Sequence, residues 1–110
     1  MIRANLNEYN LGWFVGNFEP SILSTGNFEV AVKSFLKGDI EPLHHQRQAV
    51  EITLVVSGEC RLAGELLCAG DILRIDPFEA GDFEAITDCT LVAVKTPSLP
   101  NDKVLGDVGI

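Results

Sequence analysis

The only two histidines of this 110-residue chain stand side by side, His44 and His45, followed by Gln46; Glu51 comes six residues after the second. Imidazole and carboxylate together can hold a first-row divalent metal or hydrogen-bond a polar ligand. In an extended strand residues two apart share a face, so His44 and Gln46 project together and His45 projects oppositely. Glu51 sits early in the next strand, beyond a short connection. His44, Gln46 and Glu51 therefore form a three-point clamp, and Thr53 lies on the same face as Glu51. His45, beside Arg47, reads as a surface or interface residue.

The elements that must position this clamp are strands. "NFEVAVKSFLKG" places Phe28, Val30, Val32, Ser34 and Leu36 on one face and Glu29, Ala31, Lys33, Phe35 and Lys37 on the other, which is period two. "VEITLVVSG" is rich in β-branched residues and stops at Gly58. "ECRLAGELLCAGD" reads as a hairpin turning near Ala63-Gly64, followed by "ILRI", "FEAIT" and "TLVAVKT", with Asp88 suited to an Asx-type turn before the last run. Seven or eight short strands at this spacing predict a β-sandwich or small barrel, with no sustained amphipathic helix. Ile52, Leu54 and Val56 make the second face of their strand apolar as well, so it needs a cover. The N-terminal segment with Trp13, Phe14 and Phe18, or a second copy of the chain, would supply it, and a homodimer is the expectation.

The spacing of the clamp resembles the first motif of the cupin superfamily: Gly38, five residues, His44-His45-Gln46, four residues, Glu51, six residues, Gly58. Gln46 stands where the family has its second histidine. "GDILRIDPFEAG", beginning at Gly70-Asp71, is similar to the second motif, with Asp76-Pro77 at the family's double proline and Gly81 at its last histidine ligand. The resemblance covers roughly Phe28 to Val94. It implies a single-domain, all-β, antiparallel jelly-roll barrel, commonly dimeric, with a central pocket. The resulting division is an N-terminal arm over residues 1–27, a barrel over 28–96 and a C-terminal tail over 97–110, extended or loose.

For the metal, the resemblance leaves two readings open. In one, His44, Gln46 and Glu51, completed by Asp82 or Glu84, bind a divalent ion such as iron, manganese, nickel or zinc, and the chain is a metal-dependent dioxygenase or isomerase. In the other, favoured because two of the family's four ligands are missing, the barrel binds a small polar, sugar-like molecule in a degraded metal site. A metal-free epimerase or isomerase with His44 as base is a third possibility.

Composition narrows the remaining classes. Sixteen acidic against eight basic residues give a net charge of −8, with the basic residues scattered. This excludes a phosphate-backbone footprint and makes nucleic acid and anionic membranes poor partners. The N-terminus lacks the apolar core of a secretory signal, so a cytoplasmic protein is expected. Cys60, Cys68 and Cys89 form no C-x-x-C pair. The first two flank a hairpin, yet small buried apolar residues are the plainer reading. Trp13, Phe14 and Phe18 read as a plug on the barrel before an aromatic wall for a ligand. Glu79, Asp82 and Glu84 read as a solvated acidic rim.

Overall fold

Alternation carries most of the chain into strands. The computed structural model describes residues 1–108. After two short 3-10 turns, Leu6–Glu8 and Asn10–Gly12, come β1 (Trp13–Gly16), β2 (Leu23–Ser24), β3 (Glu29–Phe35), β4 (Ile40–Gln46), β5 (Val50–Ser57) and β6 (Glu59–Leu62). They are followed by β7 (Glu65–Cys68), β8 (Ile72–Ile75), β9 (Gly81–Ala85), β10 (Cys89–Thr96) and β11 (Lys103–Leu105). One sheet has the order β2-β1-β3-β10-β5-β8 and the other β11-β4-β9-β6-β7. All pairings are antiparallel except β1 with β2. The two sheets face each other as the jelly-roll barrel that the cupin resemblance implies, within the sandwich-or-barrel class that the spacing of turns predicts. No helix among the described residues is long and apolar enough to cross a membrane.

The inner face changes character along the strands. At one end Val55, Cys60, Leu67, Phe83, Cys89 and Leu91 form a dry core, with the Phe35 and Phe83 rings 4.4 Å apart. Toward the other end the inward positions of three adjacent strands turn small and then charged. Ala31, Ala93 and Thr53 lie in one cross-strand row, and Glu29, Lys95 and Glu51 lie in the next. The small row leaves space that the charged row encloses. On β3 it is Glu29, Ala31, Lys33 and Phe35 that face inward, the face that looks more polar in the sequence.

The two ends of the chain are built into the sheets. The arm enters as strands β1 and β2 at the edge of the six-stranded sheet. Residues 97–108 are not a loose end: β11 pairs with β4, and Ser98 and Asp102 are buried. The Asp102 carboxylate accepts the amides of Gln48 at 3.0 and 3.2 Å and of Ala49 at 2.9 Å, tying the tail to the β4–β5 connection. Gly109 and Ile110, the end of the expected tail, lie outside the described residues.

The β6–β7 hairpin turns at Ala63-Gly64, both with positive φ. Its register pairs Cys60 with Leu67 and Glu59 with Cys68, so Cys60 and Cys68 point to opposite faces. All three cysteines are free. Burial pushes the Cys60 thiol up to about 11, which suits a core residue and not a nucleophile. Asp88 caps across the fold: its carboxylate accepts the Lys37 amide at 2.7 Å.

Candidate functional site

His44, Glu51 and Thr53 converge on the barrel interior, with Gln46 beside them. β9 presents Gly81 directly opposite His44 on β4, and a bulge between Glu41 and His44 turns both of these side chains toward the same space. His44 Nδ1 lies 3.0 Å from the Pro42 carbonyl, which can only accept, so Nδ1 carries a proton, and in the neutral ring Nε2 is the acceptor. Gln46 is 4 % exposed, and its Nε2 has no hydrogen-bond partner. Beside it, among His44, Gln46, Glu51 and Gly81, lies a void of about 10 Å³, room for about one water.

This donor set does not fit a resident divalent metal. Among the described residues no group of three His, Cys, Asp or Glu side chains is placed to hold an ion. Asp82 and Glu84, expected to complete the set, alternate outward along β9 while Gly81, Phe83 and Ala85 point in. Glu84 instead sits 3.8 Å from Arg61 on the surface. A side chain at Gly81 has no room, because its Cβ would lie 2.8 Å from the Ala63 Cβ and 3.2 Å from its Cα. The position that would supply a ligand is thus closed by the β6–β7 turn.

His45 is likewise not a surface residue. It is buried, with Nδ1 donating to the Gly106 carbonyl at 2.8 Å, because β11 pairs along β4 and covers it. Glu79 accepts the Asp76 amide at 2.8 Å, so this exposed residue closes its own loop.

The larger space opens on the other side of His44 and Glu51. A cavity of about 200 Å³ is lined by these two and Thr53, with Trp13, Glu29, Lys33, Glu41, Lys95 and Lys103 around it. Leu62, Phe83, Leu91 and Ala93 supply its apolar lining. Three of the eight basic residues of a chain with net charge −8 meet here. Of the three, Lys33 alone is paired with a carboxylate within 4 Å. Lys33 Nζ lies 3.3 Å from both Glu41 oxygens. Lys95 stands between its register partners Glu29 and Glu51, and its Nζ lies 5.0 Å over the Trp13 ring. Ser98 Oγ donates to Glu29 Oε1 at 3.2 Å.

Burial pushes the Glu29 carboxyl above its usual range, and Lys95 only partly offsets this. Neither Lys95 nor Lys103 has an ion pair within 4 Å among the described residues, so both ammonium groups are available to a guest. Sequence reading missed Glu29, Lys33, Glu41, Lys95 and Lys103, because charged residues alternating along a strand look like a solvent face. The signal was the match of "EVAVK" to "LVAVK", both alternating into small inner residues. Trp13, read first as a plug, forms a wall of this cavity.

No family model matches the sequence, and no curated protein matches it. Solved structures do. An uncharacterized conserved protein with a double-stranded β-helix domain from Klebsiella pneumoniae is similar at 22% identity and TM-score 0.69, over 78% of this chain and 75% of that one. A cupin protein from Bacteroides fragilis is similar at 25% identity and TM-score 0.54, over 68% and 71%. A bacterial pirin from Escherichia coli, solved in complex with nickel(II), is similar at 19% identity and TM-score 0.66, over 80% of this chain and 39% of that one. Motif spacing, sheet order and these neighbours agree: the chain has the cupin fold, the double-stranded β-helix.

Proposed function

We propose that the protein binds a small polyhydroxylated, sugar-like molecule in the barrel cavity, without a resident metal. The observation that carries this reading is the cavity of about 200 Å³ itself, whose wall alternates hydrogen-bond donors and acceptors beside one indole face. Hydroxyl groups both donate and accept, so a polyol can satisfy Glu29 and Glu51 as acceptors and Lys95 and Lys103 as donors at once. His44 Nε2 accepts another hydroxyl. The C–H face of such a molecule suits Trp13, which gives apolar contact at little entropic cost. Lys95 stands between the two glutamates in register, so donor and acceptors are already side by side before the guest arrives.

The metal-dependent dioxygenase or isomerase reading lacks its ligands: Gln46 is a neutral amide, Gly81 is sterically closed, and Asp82 and Glu84 face away. Elemental analysis after loading with iron, manganese, nickel or zinc tests this. Well below one ion per chain is expected, unchanged in His44→Ala. One ion per chain, lost in His44→Ala, would overturn the metal-free reading.

A further inference from the structure

A primary amide carries both donors and an acceptor, and burying its N–H groups without a partner is costly. Gln46 closes β4 at 4 % exposure, and its Nε2 has no hydrogen-bond partner among the described residues. Register explains the burial. β11 sets Lys103 beside Gln46 on one side of β4, and β9 sets Gly81 against His44 on the other. Gly81 brings no side chain, so the void of about 10 Å³ lies beside the amide, between His44 and Glu51.

The other groups around that void are committed. His45 Nδ1 donates to the Gly106 carbonyl at 2.8 Å, and Glu79 accepts the Asp76 amide at 2.8 Å. Leu62 and Ile75 are its apolar wall. What remains is one amide donor, from Gln46, and two acceptors, the Glu51 carboxylate and Nε2 of the neutral His44 ring.

This set selects its occupant. The amide hydrogens repel a cation, and the Glu51 carboxylate repels an anion. The neutral molecule that accepts one hydrogen bond, donates two and fits a space for one heavy atom is water. We infer that Gln46, Glu51 and His44 hold one buried water at the centre of the clamp. The water accepts from Gln46 Nε2 and donates to Glu51 and to His44 Nε2. Gln46 is thus a water-binding residue.

His44 and Glu51 also line the cavity of about 200 Å³, so the water lies next to the binding surface. A guest hydroxyl has one hydrogen to give. On taking the water's place it accepts from Gln46 and donates to His44, which leaves Glu51 for the neighbouring hydroxyl of a vicinal pair. That exchange rests on the polyol reading of the cavity; the water itself does not.

A high-resolution crystal structure of the metal-free full chain, with anomalous data, tests the site. A single peak without anomalous signal is expected about 2.7–3.2 Å from Gln46 Nε2 and within hydrogen-bond reach of Glu51 and His44. Gln46→Met keeps the side-chain length without the amide. It should lose that peak and, by water magnetic relaxation dispersion, one long-lived water per chain. No peak, a direct Gln46–Glu51 bond in its place, an anomalous peak at the roughly 2.0–2.2 Å of a metal ligand, or a water that persists in Gln46→Met would overturn the proposal. The wild-type density decides even if the variant fails to fold. For a polyol found to bind the cavity, Gln46→Met should weaken affinity about fivefold, the loss of one hydrogen bond. Unchanged affinity would overturn the exchange of water for hydroxyl, and the density would still decide the water.

Discussion

Gly58→Ala should destabilise the protein by about 4 kcal/mol and lower its melting temperature by on the order of 15 °C. Gly58 turns the chain from β5 into β6 with φ +83°, a conformation that costs a side chain about 1–2 kcal/mol. The larger part is steric. A Cβ there would lie 2.1 Å from the Asp88 carbonyl and 2.7 Å from the Cys89 Cβ, so the hairpin must move off the β9–β10 connection. Gly38, at the other end of the same spacing pattern, has φ +90° but open space around it. Gly38→Ala should therefore cost only the backbone term, about 1 kcal/mol. Urea unfolding of the two variants checks the difference. Equal losses would mean that Gly58 serves only its backbone angle.

The second large effect concerns the charged row. Lys95→Met should abolish detectable ligand binding and destabilise the fold by about 2 kcal/mol near neutral pH, because Glu29 and Glu51 then face each other across β10 without the intervening cation. The pH dependence fixes the cause. Glu29 already has a folded-state value raised above its ordinary 4.5, by burial first. The folded protein thus holds more protons than the unfolded chain in that window, and stability falls as pH rises through it. Removing Lys95 raises the folded value further. The deficit of Lys95→Met should be present at neutral pH and shrink as pH falls toward and below 4.5. Thermal melts of both proteins from about pH 4 to 8 read this directly. A deficit that is constant with pH would assign the loss to packing against Trp13 and not to charge.

How much of this was legible in the sequence differs by element. The spacing from Gly38 to Gly58 carried the fold, because those residues mark turn geometry and strand length, which are local. It also placed His44 and Glu51 inside. The rest of the site depends on register. Glu29, Lys95 and Glu51 are far apart in sequence and meet only because β10 lies between β3 and β5. Asp82 and Glu84 were plausible ligands by distance along the chain, but the pleat of β9 sends them outward once Gly81 and Phe83 point in. Nor could spacing reveal that the β6–β7 turn fills the space a side chain at Gly81 would need. The tail misled for a different reason: its prolines and glycines mark a broken chain, whereas what holds it is buried polar bonding by Ser98 and Asp102, which leaves no periodic trace.

Trp13 is the only tryptophan of the chain and lines the cavity, so its emission reports on that space alone. Titrating the metal-free protein with a panel of small sugars, polyols and sugar acids, while following Trp13 emission, is the most direct test of a ligand-binding barrel. Saturable change with at least one of them, lost in Lys95→Met and Glu51→Gln and insensitive to chelator, is the predicted result. No change with any of them at millimolar concentration, or a response that appears only after metal loading, would contradict it.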